Sequence, residues 1–343
     1  MALQSAADFY DAQQRRILLT LNATRGEWSK LSKPSDFDQI LKRIYALIVT
    51  AQLGAAKDAA TYVPAALEEQ GAPSKTPLRV APAAFAGWGY STTNPGLARP
   101  LNSLLGIVPS MATGSDLATQ MAAGGTFLDL LAKTQIIEAG RMATSTGISI
   151  RPSAGWVRQV RPPCCQNCAV LAGKWFRRNT GFQRHHGCDC IHVPAHGRDV
   201  PEGYTDTIAP DQIHDLTEAQ QQAIAAGADM NQVINAYRDA TPSMRAQMFT
   251  TGEGSTRRGY ASYIRRAIDQ QQGITTAETA TAVGKRGAVK NYTVRRLAQR
   301  RLTPEGIYTI ARNDREVLTL LRANGYVVGD IRQIAEQVAA LTP

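Results

Sequence analysis

Aromatic residues make up only 6% of the 343 positions, and no run of about 18 uninterrupted apolar residues occurs anywhere in the chain. The first scarcity argues against a dense all-β sandwich or barrel, whose pleated faces are filled by aromatic and β-branched side chains. The second argues against a membrane span: the best candidate, Ile44 to Ala56, is short and has polar flanks. A basic-then-apolar leader is also missing from the N-terminus, so a product of the cytoplasm is expected. No Walker loop, no Gly-x-Gly-x-x-Gly and no His-Glu-x-x-His occurs, which leaves nucleotide-dependent and zinc-protease chemistry without a motif. What is present is an ordinary globular balance, 43% hydrophobic and 19% charged, with alanine, glutamine and threonine recurring throughout. These residues favour helix, and a mainly α fold with a small β-ribbon, an α+β class, is expected.

Periodicity divides the chain into four stretches. Residues 1–78 read as helices, with Phe37, Ile40, Leu41, Ile44, Tyr45 and Ile48 at helical spacing behind a cap at Ser35. Residues 79–154 begin as a loop-rich segment dense in Gly, Pro, Ser and Thr. Helical period resumes from Thr126 through Phe127, Leu130, Leu131 and Ile137 to a C-cap at Gly147. Residues 155–198 start on a short strand, Gly155 to Val160, and hold the cysteines. Residues 199–343 form a helical extension in which Thr303 and Asn313 cap helices, while 269–291 carry too few large apolar groups to pack well.

All five cysteines and four of the five histidines fall between Cys164 and His196. Cys165-x-x-Cys168 has the knuckle spacing that turns two sulfurs toward one ion, and Cys188-x-Cys190 offers two more. Positions i and i+2 of an extended strand share a face, so the second pair can also converge. Four thiolates would close a structural zinc site. His185 competes for one place, since zinc accepts nitrogen as readily as sulfur, and the choice among Cys165, Cys168, His185, Cys188 and Cys190 stays open. Cys164, His186, His192 and His196 are read as non-ligands. A ribbon of about forty residues is too small to be held by an apolar core alone, so the metal would act as its staple. Disulfides fit poorly with an odd cysteine count and a reducing compartment. A redox Cys-x-x-Cys would start a thioredoxin-like helix, whereas Pro162-Pro163 precede this one. A catalytic zinc would keep an open coordination position, for which a cysteine-rich donor set gives little reason.

The run from Gly155-Trp156-Val157-Arg158 through Cys165-x-x-Cys168-Ala-Val-Leu-Ala-Gly173-Lys174 to the closing Cys188-x-Cys190 resembles the signature of MuF-like minor capsid proteins of tailed phages, also called phage head morphogenesis proteins. That family carries Cys-x-x-Cys, a Leu-x-Gly-Lys turn and His-Pro-x-Cys-x-Cys. Here His185 stands at the family's histidine and His186 at its proline. The C-terminal stretches around Arg257–Ile268 and Arg300–Tyr326 resemble the extension found in versions from phages of actinobacteria, and the similar parts together span roughly 126 to 328. The resemblance implies a virion component made in the host cytoplasm. It would sit near the portal vertex and act in head assembly or DNA delivery, with the portal, major capsid or scaffold protein as partners and no membrane. Several relatives are described as capsid maturation proteases.

A protease needs a histidine beside its nucleophile, and outside the cysteine cluster only His214 remains, with no glycine-framed serine nearby. Catalysis therefore has no positive case in the residues, and an assembly protease is the alternative to a structural role. Charge is uneven: between Ser255 and Arg301 eleven basic residues face two acidic ones. Arg257, Arg258, Arg265, Arg266, Arg295, Arg296, Arg300 and Arg301 are candidates for sequence-independent contact with the phosphates of packaged DNA, or for docking on an acidic protein. A zinc-containing nucleic-acid-binding protein unrelated to phages is a further alternative.

Overall fold

The computed structural model describes residues 2–73, 76, 78–89, 96–113, 116–182, 188–204, 208–237, 249–251, 277–283, 289–295 and 300–327. Helices dominate, and a small antiparallel sheet accompanies them, which is the expected α+β class. The chain divides into two compact units, Met1–Arg161 with Leu171–Thr207, and Pro162–Val170 with Ile208–Pro343.

Three long helices build the first unit: α1 (Gln4–Trp28), α2 (Phe37–Glu69) and α5 (Leu117–Ser149), with the short helices α3 (Ala98–Asn102) and α4 (Val108–Thr113) between the last two. The apolar stripe read from the sequence is the buried face of α2, where Phe37, Ile40, Leu41, Ile44 and Ile48 meet Trp28, Leu128 and Leu131. Farther along, α2 presents Ala51, Ala55 and Ala59, and small residues let the helices approach closely. A Cβ on Gly140 would lie 3.6 Å from the Ala55 methyl, and one on Gly147 only 3.1 Å from Val63. Gly147 is thus a packing residue inside α5 and not its C-cap, since the helix runs on to Ser149. Gly124 and Gly125 serve the same end at the other terminus of α5, where they lie against the Trp28 ring. The helix begins at Leu117, well before Thr126, where Leu117 and Met121 pack against the cluster that holds Trp28.

Two further expectations differ from the structure for local reasons. Pro34 starts a 3-10 turn over Pro34–Asp36, so Ser35 lies inside that turn and α2 begins at Phe37 with no side-chain cap. In the Gly- and Pro-rich stretch, Leu97, Leu101 and Leu104 recur at helical spacing and are buried against α2 and α5. Each such leucine contributes roughly 1.5 to 3 kcal/mol, enough to hold short helices in a segment whose composition reads as loop.

The sheet of this unit runs in the order β2-β1-β3, from β1 (Ala154–Gln159), β2 (Trp175–Arg177) and β3 (Ile191–His196), all antiparallel. Trp156 pairs with Phe176 and Pro194 in register, and Arg158 faces His192. Between β1 and β2 lies the single turn α6 (Gln166–Ala169).

In the second unit, α7 (Glu218–Ala225) opens on a capping box between Thr217 and Gln220, and α8 (Met230–Ile234) is capped by Asp229. The strands β4 (Phe249–Thr251), β5 (Ala277–Val283), β6 (Val289–Arg295) and β7 (Arg300–Leu302) pair as β4-β7 and β5-β6. A hairpin thus occupies part of the segment expected to pack poorly. As expected, Thr303 caps α9 (Pro304–Ile310) by accepting from the Gly306 amide, and Asn313 caps α10 (Asp314–Ala323) by accepting from Glu316. Ala223, Val233, Ile307, Val317, Leu321 and Tyr326 form the core of this unit.

Candidate metal centre

Strand β3 lies at the edge of its sheet, and a buried edge leaves carbonyls and amides that need partners. Helix side chains supply them in a row. The Tyr62 hydroxyl of α2 donates to the His192 carbonyl at 2.9 Å, and the Gln70 amide donates to the Pro194 carbonyl at 2.8 Å. The amide of His196 donates back to Gln70 Oε1 at 3.1 Å. Upstream of the strand the row continues on α5: Arg141 Nε donates to the Cys190 carbonyl at 2.9 Å, and its terminal nitrogen donates to the carbonyls of both Cys190 and Cys188. One guanidinium thus holds the carbonyls of both cysteines just before the strand begins at Ile191.

Cys168 reaches its place through α6. The Cys165 carbonyl accepts from the amides of Cys168 and Ala169, both at 3.0 Å, which closes the turn and leaves Cys168 buried. The sulfurs of Cys168, Cys188 and Cys190 all lie within 4.8 Å of one another, and none of the five cysteines is in a disulfide. Thiolates on one tetrahedral ion, with bonds of about 2.3 Å, sit about 3.8 Å apart, so this set closes on an ion with shifts of about an ångström. Three buried soft donors can hold a metal ion.

The surroundings carry charge. A terminal nitrogen of Arg141 lies 3.3 Å from the Cys188 sulfur, and one from Arg158 of β1 lies 3.5 Å from it. Arg141 also pairs with Glu138 one turn earlier on α5 at 2.6 Å, with both side chains almost wholly buried. The Phe182 ring lies 4.8 Å from the Arg141 guanidinium and 4.2 Å from that of Arg158, and Trp156 and His192 stack or tilt against the same ring. Nearby, Tyr10 donates to Asp189 at 3.2 Å, and burial first, then the Asp189 charge, pushes its hydroxyl up to about 12.

Of the five sequence candidates, the structure brings Cys168, Cys188 and Cys190 together. Cys165 is half-buried at the start of α6, and its sulfur stands outside the group of three. His185 and His186 lie outside the described residues. Cys164 is tied by its backbone to Gln212 and His214, His192 is buried against Trp156, and His196 ends β3 exposed. Of the basic candidates, Arg295 lies on β6 opposite Ala277, and Arg300 and Arg301 lie on β7 opposite Thr251 and Thr250. Arg257, Arg258, Arg265, Arg266 and Arg296 fall outside the described residues.

Arg141, Glu138 and Arg158 were not legible as site residues from cysteine spacing. The signal lay in α5 itself, where an acid and a base at i, i+3 interrupt the otherwise apolar run from Ile136 to Ala143.

The chain matches no protein-family model, no curated protein and no solved structure. Among the described residues no helix is long and apolar enough to cross a membrane.

Proposed function

We propose that the chain is a structural minor capsid protein of the head-morphogenesis kind. It acts near the portal vertex of a tailed bacteriophage in head assembly or DNA delivery, and its ribbon is stapled by one structural zinc ion. The observation that supports this most is the convergence of Cys168 with Cys188 and Cys190, since these are cysteines of the motif on which the family resemblance rests. Zinc suits the donor set: it takes thiolate readily, has no redox chemistry of its own, and uses four-coordinate closed sites for structure. Cys165 or His185 supplies the fourth ligand. The portal, major capsid and scaffold proteins are the proposed partners. The arginines around β6 and β7 are the proposed contacts to packaged DNA.

Two measurements test this reading. Elemental analysis of the metal-replete chain is expected to give about one zinc per chain, and zinc-free protein would end the zinc assignment. Purified heads from the cognate phage are expected to contain the chain in low copy beside the portal, and its absence from them would overturn the virion role. Cleavage of the cognate capsid or scaffold protein by the purified chain would move the assignment to an assembly protease.

A further inference from the structure

We infer that Arg141 is the positioning residue of the thiol site, setting metal affinity through the Cys188–Cys190 segment without touching the ion. The inference rests on the metal reading above and extends it to a side chain that cysteine spacing does not reveal.

Arg141 uses its planar fork on four acceptors at once. Nε donates to the Cys190 carbonyl at 2.9 Å, one terminal nitrogen donates to Glu138 at 2.6 Å, and the other spans the Cys188 carbonyl, the Cys190 carbonyl at 2.7 Å and the Cys188 sulfur at 3.3 Å. The residue is 4% exposed, so these bonds form away from water, where charge-assisted hydrogen bonds are strongest. Glu138, also buried, fixes the fork from behind.

Two physical consequences follow. Gripping the carbonyls on both sides of Asp189 removes the backbone rotations that would swing either sulfur away from the others. A set of three or four thiolates around a divalent ion is also a net anion, and a buried guanidinium beside one of its sulfurs offsets that charge. An ammonium could supply the charge, but it could not reach two carbonyls, a carboxylate and a sulfur together. Outer groups of this kind typically change metal affinity by about 10- to 100-fold.

The test uses the full chain and Co²⁺ as a spectroscopic probe, followed by competition with Zn²⁺ and a chelator. Wild type is expected to show the thiolate-to-cobalt charge-transfer band. Arg141→Met should bind at least about tenfold more weakly, while Arg141→Lys should fall between the two and Glu138→Gln should show a smaller loss. Arg25→Met, which breaks the exposed Arg25–Asp129 pair between α1 and α5, is the control and should bind as wild type does. Helical circular dichroism reports whether each variant is folded. If Arg141→Met does not fold, Arg141→Lys carries the test, because it keeps charge and bulk and must still lose affinity.

Affinity within twofold of wild type in the folded Arg141 variants would overturn the inference and leave the metal reading standing. A wild-type chain with no cobalt band would overturn both.

Discussion

Replacing Tyr62 by Phe removes a single oxygen and tests whether the helices hold the strand that follows the second cysteine pair. The ring of Tyr62 is buried and lies flat on Phe9, with centroids 4.4 Å apart and planes 3° from parallel, and Phe keeps that contact. What is lost is the hydroxyl's bond to the His192 carbonyl at 2.9 Å. Taking a donor from a buried carbonyl costs about 1 to 3 kcal/mol. At roughly 2 to 4 °C per kcal/mol for a unit of this size, the melting temperature should fall by about 2 to 12 °C. Urea unfolding should show a lower midpoint with an unchanged slope. A stability change below about 0.3 kcal/mol would refute the argument that this hydroxyl anchors the edge of the sheet. The same variant carries a pH signature. Burial, with smaller contributions from Tyr204 and Glu69, holds the Tyr62 hydroxyl well above its ordinary 10.0. The folded state therefore keeps this proton at a pH where the unfolded chain releases it. Its stabilising contribution is complete below the ordinary value and is lost as the pH climbs past it toward the folded value. Tyr10, pushed up to about 12, acts in the same direction. Wild type should lose stability in that alkaline window, and Tyr62→Phe should lose it less steeply; an equal or steeper loss in the variant would contradict the assignment.

Single Cys→Ser changes at positions 168, 188 and 190 should each reduce bound metal from about one ion per chain toward none by elemental analysis. Cys164→Ser should keep it, since that sulfur is not in the converging group; equal loss in Cys164→Ser and Cys168→Ser would show that the wrong thiol was chosen. Gly124→Ala places a methyl 2.6 Å from the Trp28 ring and should destabilise by about 1 to 3 kcal/mol. At neighbouring Gly125 the nearest ring atom is 3.6 Å away, so alanine there should be neutral or stabilising by up to about 1 kcal/mol in denaturant unfolding. If the basic region contacts DNA, duplex binding by the full chain should be independent of sequence and weaken steeply with salt. Charge reversal at Arg295 and Arg296 should then flatten the slope of log K against log salt by roughly 1.8; binding indifferent to salt would leave the region as a protein-docking surface.

Local chemistry made much of this protein legible from its residues alone. The stripe Phe37, Ile40, Leu41, Ile44 and Ile48 specified both a helix and its buried face. Thr303 and Asn313 marked helix starts because a cap depends only on an amide three residues on. The 155–160 strand was readable for the same reason, as were the cysteine pairs, whose spacing limits which sulfurs can share a face. Gly147 reads as the end of a helix because its meaning is not local: it is a site where Val63 of another helix presses on α5, as Trp28 does at Gly124. Arg141 shows the limit most clearly: it is 47 residues from Cys188 in sequence, and its pairing with Glu138 signals a buried charge on α5 without saying that the charge serves a thiol site. Only the packing of α5 along the residues that lead into β3 brings its guanidinium to those carbonyls and that sulfur. The residues by themselves determined which groups could bind an ion; tertiary structure decided which sulfurs converge and which buried cation sits beside them, because proximity across tens of residues is set by helix–sheet packing and not by spacing along the chain.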